Sequence, residues 1–211
     1  MKKLFFILLG LFSLLSAKAQ NATELPQTGI KASLDRNFKS TGFAIGIEKP
    51  YKVTQVEKQK KWGVKTILKE RYWAFNVGFY HQNTFHDNLY LLAEWQMRRQ
   101  KSKGWFFEFA PGVGYSRTFL DGTTYQVVDN GEVTHKSISG YNYALLSLTG
   151  GVGYDFSKKM DTPIKVFLKP NLSFFAPYNS SLYMRPSMSL GIVYSAKNFL
   201  KTPPSVKIKK K

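Results

Sequence analysis

The strongest constraint on the fold is a two-residue alternation of large apolar side chains along most of the chain. The clearest run alternates small or polar residues with Trp73, Phe75, Val77 and Phe79. Because successive side chains of a β-strand point to opposite faces, such a run predicts a strand with one continuous apolar face. Several runs extend over about 10 residues, the length that a tilted strand needs to cross a bilayer. The pattern is therefore typical of a membrane-spanning β-barrel.

The same alternation predicts seven strands. They cover residues 42–48, 72–79, 89–98, 105–116, 144–156, 164–174 and 182–194. Barrels of this kind have an even number of strands, so we predict an all-β fold, an antiparallel up-and-down transmembrane β-barrel of eight strands. The eighth strand lies either within residues 24–40 or in the basic stretch 49–66. The short polar connections at 100–104 and 157–162 are typical of periplasmic turns, whereas 81–88, 120–140 and 176–181 then face outward. Asp129-Asn130-Gly131 predicts that 120–140 forms an extended hairpin.

The N-terminus has the pattern of a secretory signal peptide. Lys2 and Lys3 precede an apolar stretch at 4–15, and Ala17-Lys18-Ala19 supplies a cleavage site. We therefore assign 1–19 to a signal peptide, 20–40 to an N-terminal segment, 41–199 to the barrel and 200–211 to a basic, unpaired C-terminal tail. The chain contains no cysteine, which excludes a lipoprotein anchor, disulfides and thiolate metal sites.

The charge balance is strongly basic, with a formal net charge of +18. No nucleic-acid-binding motif accompanies it, and an exported chain rarely meets nucleic acid, so we expect no nucleic-acid partner. The expected partners are outer-membrane lipid, the phosphates of an anionic glycolipid, and the barrel assembly machinery that would insert such a protein. A solvated basic surface with no specific partner is the alternative.

The polar phase of the predicted strands carries charges of both signs that would point into the barrel lumen. This lumen charge network consists of Glu48, Glu94, Arg98, Glu108, Asp155, Lys165, Lys169 and Arg185. Charges in a dry interior must pair, because an unpaired one costs several kcal/mol. We therefore expect Glu94, Arg98 and Glu108 to meet Lys165, Lys169 or Arg185 across the barrel. An eight-stranded barrel is just filled by its side chains, so a wide solute pore is not expected.

Aromatic residues of the outward phase are predicted to form one girdle near the periplasmic end, as they do at membrane–water interfaces. Its members are Trp73, Trp95, Trp105, Tyr154, Phe156 and Tyr194.

Three residues near one outward loop are the candidates for chemistry. His81 and His86 flank this loop beside Asp87, and imidazole with carboxylate can bind a metal or act as an acid–base pair. No nucleophile motif accompanies them, and polar residues are common at barrel rims. We therefore predict no metal site and no cofactor, and we favour a non-enzymatic protein in which His81, His86 and Asp87 are the only candidates for catalysis.

Several motifs resemble those of small outer-membrane β-barrel proteins of Bacteroidota, for most of which no activity is known. The likeness covers roughly residues 40–196. It rests on Asn-Val-Gly-Phe-Tyr-His at 76–81, Arg-Arg at 98–99, Gly-Trp-Phe at 104–106, Gly-Val-Gly-Tyr at 112–115 and Pro-Tyr-Asn at 177–179. The resemblance implies the architecture and location in the cell outer membrane, and no particular reaction. One departure is that Phe199 is followed by the basic tail, so the chain does not end on an aromatic residue.

The sequence favours a non-enzymatic outer-membrane barrel of the Gram-negative envelope, which contributes to envelope integrity or binds glycolipid or partners through its loops. A lipid-modifying outer-membrane enzyme that uses His81 or His86 is the second hypothesis, and a narrow channel is the third. A soluble periplasmic lipid carrier is the rival fold, since alternating strands also occur in soluble sheets.

Overall fold

The protein is an all-β structure built around a ring of eight antiparallel strands in up-and-down order. The computed structural model describes residues 26–60, 63–83, 85–122, 124–127, 132–136, 139–160, 162–178, 181–196, 199 and 204–210. The ring strands are β1 Gly29–Arg36, β2 Ser40–Lys60, β3 Gly63–Gln82, β4 His86–Lys101, β5 Trp105–Leu120, β8 Asn142–Asp155, β9 Ile164–Tyr178 and β10 Ser181–Ser195. The signal-peptide prediction at 1–19 lies outside the described residues.

The first strand closes the ring. Gly29–Arg36 pairs antiparallel with β10 on one side and with β2 on the other, over all eight of its residues. The eighth strand is therefore the candidate within 24–40, and the barrel begins at Gly29 instead of residue 41. Closure leaves no free edge around the ring, because every strand has a partner on both sides.

The connections divide the ring into two ends. Both the start of β1 and the finish of β10 lie at the end that carries the turns after β4 and β8, which we call the terminal end. The β5–β8 connection lies at the opposite end, which we call the loop end. It contains a second, two-stranded sheet, β6 Thr124–Val127 paired with β7 Val133–Lys136. The predicted hairpin in 120–140 is thus confirmed, although its turn at 129–131 lies outside the described residues.

The two faces of the ring differ sharply in chemistry. Outward side chains such as Phe75, Leu91, Val113 and Leu190 are apolar and exposed, whereas the alternating inward positions carry most of the buried polar and charged groups. The period-two pattern explains this arrangement, since one phase of each strand must face inward once the ring closes. The core of this protein is consequently polar in its middle, and its apolar surface is on the outside.

Small residues make room for large ones inside the ring. A Cβ atom on Gly153 would overlap the ring of Phe106, and one on Gly78 would overlap the ring of Tyr90. Phe106 is fully buried against Phe167 and Val193. Glycine at these inward positions therefore lets aromatic rings cross the narrow lumen.

The basic tail is paired, which corrects the prediction of an unpaired segment at 200–211. Residues 205–210 form β11, Ser205–Lys210, which pairs parallel with residues 52–57 of β2. β2 and β3 run on past the start of β1 at the terminal end, where β1 no longer covers the edge of β2. The tail occupies this edge. Such a pairing satisfies backbone groups that an open edge would leave unpaired.

Removing the tail strand is expected to loosen the edge that it covers. In a chain that ends at residue 203, the amides of 52–57 that face β11 should exchange with solvent at least about tenfold faster, because their partners are gone. Hydrogen–deuterium exchange on the detergent-solubilised protein measures this. Amides of β9, which has ring partners on both sides, serve as the internal control. Unchanged protection at 52–57 would show that the β11 pairing does not form.

Candidate functional site

The lumen is the main concentration of charged groups in the described part of the chain. All eight residues predicted for the lumen charge network are buried. Along each strand these residues alternate with the exposed apolar ones. The periodicity of the strand is therefore enough to place their side chains inside the ring.

Arg98 is the centre of the network. Its guanidinium donates two hydrogen bonds to the carboxylate of Glu48, at 2.9 and 2.8 Å, and a third to Glu108 at 2.8 Å. It also lies between two rings, with its Cζ atom 4.5 Å from the centroid of Tyr72 and 4.7 Å from that of Phe106. Arg98 is 1% exposed. Forked bonds and ring faces on both sides are the environment that compensates a buried guanidinium for lost water.

Two lysines complete the middle of the network. Lys169 donates a hydrogen bond to the second oxygen of Glu108, as predicted. Glu94 pairs with Lys31 at 3.0 Å and does not meet Lys165, Lys169 or Arg185 directly. The carboxylate of Glu94 also accepts a hydrogen bond from the amide of Asn76 at 2.8 Å. The acids are thus shared among several donors, as a low-dielectric interior requires.

Arg185 belongs to a separate group nearer the loop end. It donates to Asp35 at 2.7 Å and to Ser40 at 2.9 Å, and its Cζ atom lies 4.0 Å from the ring centroid of Tyr80. Ser187 donates to the other oxygen of Asp35. The expectation that Arg185 meets Glu94, Arg98 or Glu108 is therefore wrong. Its partner Asp35 comes from β1, the strand whose place the sequence left open between 24–40 and 49–66.

The remaining predicted lumen residues lie toward the terminal end. Asp155 accepts a hydrogen bond from Gln100 at 2.7 Å and stands opposite Lys165 in the register of β8 and β9. Lys165 makes none of the ion pairs within the described residues, so the predicted contact with Glu94, Arg98 or Glu108 does not form.

The structure adds three charged groups that sequence reasoning missed. Lys31 and Asp35 alternate with Ile30, Ala32 and Leu34. This alternation was the sequence signal that could have placed the two charges inside the ring. It was too short and too poor in aromatic residues to decide between 24–40 and 49–66 as the place of the eighth strand. Glu70 is buried, accepts a hydrogen bond from Tyr72 at 2.7 Å, and stands opposite Arg98 in the register of β3 and β4.

The six residues predicted to form one aromatic girdle fall into three groups. Trp73 stands opposite Trp95, and Tyr51 stacks on Trp73 while its hydroxyl accepts a hydrogen bond from Trp95 Nε1. A second group joins Trp105, Tyr154 and Phe156, with ring centroids 5.3 and 5.1 Å apart. Tyr194 pairs with Ile30 and Ile164. Tyr51 was not predicted, because the strand predicted from the sequence ended at residue 48, whereas β2 continues to Lys60.

The histidine candidates lie at the loop end. His81 Nδ1 is 2.7 Å from Asp87 Oδ1, and both side chains are exposed. The hydrogen bond with Asp87 raises the pKa of the His81 imidazole, whereas partial burial lowers the pKa of His86, whose ring packs edge-on against Tyr80. The two histidines therefore do not form one site, since only His81 bonds to Asp87. Within the described residues, no group of three or more His, Asp or Glu side chains could hold a metal ion.

The His81–Asp87 pair gives a direct pH prediction. Because the folded-state pKa of His81 is raised, the pair stabilises the fold below the ordinary histidine pKa of about 6.5, and this contribution is lost as pH rises through the higher value. Asp87→Asn should return the His81 titration toward its ordinary range. Nuclear magnetic resonance can follow it, since the chain has only three histidines. An unchanged His81 titration in Asp87→Asn would contradict the pairing.

No family model matches the chain, and no curated protein matches it significantly. No helix within the described ranges has the length and apolar character needed to span a membrane.

Proposed function

We propose that the protein is an exported outer-membrane β-barrel, akin to the small barrels of Bacteroidota that its motifs resemble. In this proposal it has a non-enzymatic role in envelope integrity, and its loop end binds glycolipid or partners. The observation that supports this proposal most is that polarity is distributed in the opposite way to a soluble protein. Exposed apolar side chains cover the outside of the ring, and paired charges fill its inside.

The apolar exterior supports a membrane location for a physical reason. Soluble monomers rarely expose one continuous apolar patch of more than a few hundred Å². Here every strand of the ring presents apolar side chains outward, including Ile45 on β2, Phe109 on β5 and Ile192 on β10. Closure of the ring also satisfies the strand edges, which lipid cannot do. A soluble lipid carrier would instead place its apolar faces inside.

The filled lumen favours a structural or binding role over a channel. Five side chains that cross the interior have essentially no exposed surface: Tyr72, Gln96, Arg98, Gln100 and Phe106. A steady path for solutes would require these paired or packed groups to separate. In the alternative of a lipid-modifying enzyme, the exposed His81–Asp87 pair would have to act at the loop end.

Two properties of the full-length protein test the proposal. Expressed with its own N-terminus, it should fractionate with the outer membrane. It should also migrate differently on SDS gels before and after boiling, because a closed hydrogen-bonded ring resists SDS until heated. The boiled sample is the internal control for the unfolded mobility. Recovery in the soluble periplasm without detergent, or identical mobility of both samples, would overturn the proposal.

A further inference from the structure

At the terminal end, β2 and β3 run on past the start of β1, and β11 pairs with this part of β2, while β4 still pairs with residues 67–72 of β3. We call residues 49–60 of β2, 63–72 of β3 and Ser205–Lys210 the extension. One of its faces continues the inside of the ring, and the other continues the outward face. Trp73 points outward, so Arg71 and Lys69 on the same strand share its face.

The outward face of the extension and of the adjoining end of β4 is basic. Lys52 pairs with Arg71, Arg99 pairs with Lys69, and Lys101 pairs with Ile67, which places them all on this side. Lys207 joins them through its pairing with Thr54, the partner of Lys69. We call this set the basic face: Lys52, Lys69, Arg71, Arg99, Lys101 and Lys207.

The basic face is electrostatically unfavourable by itself. Lys52 stands directly opposite Arg71, and Lys69 stands directly opposite Arg99. Directly opposed like charges destabilise a sheet. None of the ion pairs in the described part of the chain involves a residue of the basic face.

The nearest acidic residues of the extension do not relieve this repulsion. Glu57 and Glu70 occupy the alternate phase, where Glu57 accepts a hydrogen bond from Gln55 and Glu70 accepts one from Tyr72. Within the described residues, the basic face therefore has no acidic side chain of its own to neutralise it.

An aromatic border joins the basic face to the apolar exterior. Trp73, Trp95 and Tyr51 contact one another at this level, and the Cζ atom of Arg71 lies 5.7 Å from the ring centroid of Trp95. Farther along the same rim, the Nζ atom of Lys101 lies 5.2 Å from the ring centroid of Phe107. Tryptophan and tyrosine prefer the headgroup level of a bilayer, and basic residues just beyond it meet phosphates.

We infer that the basic face binds the phosphate groups of anionic phospholipids in the leaflet at the terminal end. This inference rests on the proposed function, since it needs the apolar exterior to lie in a bilayer. A phospholipid is favoured over a nucleic acid or an acidic peptide because the basic face continues the lipid-facing surface across an aromatic border. It is favoured over glycolipid because the face lies at the end where β1 starts and β10 finishes, opposite the long β5–β8 connection.

The test compares phospholipid preference in reconstituted protein. The full mature chain is incorporated into phosphatidylcholine vesicles, and energy transfer from tryptophan to phosphatidylglycerol or phosphatidylcholine that carries a dansyl group on one acyl chain gives their relative binding constants. The wild type should prefer phosphatidylglycerol. Lys69→Gln, Arg71→Gln and Arg99→Gln in one chain should reduce that preference at least about tenfold, because each basic residue near an anionic headgroup adds to the attraction. A second variant, Lys101→Gln with Lys207→Gln, should reduce it by less.

A matched triple variant controls for net charge. Arg36→Gln, Lys39→Gln and Arg117→Gln remove three positive charges from exposed or partly exposed positions at the loop end, and this chain should keep the preference. Three results would overturn the inference and leave the barrel proposal intact. The wild type could bind both lipids equally, the basic-face variant could keep the full preference for phosphatidylglycerol, or the control could lose as much of that preference as the basic-face variant. Failure of the wild type to insert into vesicles would instead overturn the proposed function, and the inference with it.

Discussion

Arg98→Met is expected to lower the free energy of unfolding by about 3–5 kcal/mol, the cost of leaving a buried charge without its partner. Arg98 supplies both hydrogen bonds that Glu48 accepts within the described residues, and Glu48 is 0% exposed. Glu108 keeps Lys169, so the stranded charge is mainly that of Glu48. Urea unfolding in detergent micelles, followed by tryptophan fluorescence, measures the loss.

Arg99→Met is the matched control for this prediction. Arg99 is the next residue on the same strand and points to the exposed face, so its replacement should cost less than about 1 kcal/mol. Adding Glu48→Gln to Arg98→Met should recover part of the lost stability, because glutamine leaves no charge stranded. Equal costs for Arg98→Met and Arg99→Met would mean that water reaches the lumen and screens the pair.

Most of the ring could be predicted from the sequence because strand periodicity fixes which side of the sheet a residue occupies. Once Trp73 and Phe75 are placed outward, closure puts Glu94, Arg98 and Glu108 on the inside without any knowledge of their partners. The partners themselves could not be predicted. Whether Glu94 meets Lys31 or Lys169 depends on the stagger between strands, which no local pattern encodes.

The parts that were missed are those without a strong local signal. β1 has eight residues and no aromatic side chain, yet it closes the ring and supplies Lys31 and Asp35. In β11, Val206 and Ile208 alternate with lysines, but its pairing partner lies about 150 residues earlier in the chain and runs parallel. A charged terminal segment of this composition is more often unpaired. Here β11 pairs because the uncovered edge of β2 offers it unpaired backbone groups.

Val113→Arg is expected to cost about 2–4 kcal/mol when the protein is unfolded from vesicles, because in the proposed membrane location an arginine in the middle of β5 must leave water. Val113 points outward near the middle of β5 and is 61% exposed. By the rules for a soluble protein, a polar substitution at so exposed a position would change stability by no more than about 0.5 kcal/mol. The two environments therefore predict different costs for the same side chain.

Ile208→Arg separates the two environments within one chain. Ile208 is 64% exposed, nearly the same as Val113, but it lies on β11 in the extension, outside the ring. In a bilayer, Val113→Arg should be destabilising and Ile208→Arg nearly neutral, because only the first position contacts hydrocarbon. Leu148→Arg, on the outward face of neighbouring β8, should repeat the effect of Val113→Arg. Equal, small effects at all three positions would mean that the outward face meets water, and the ring would then be a soluble barrel with an exposed apolar exterior.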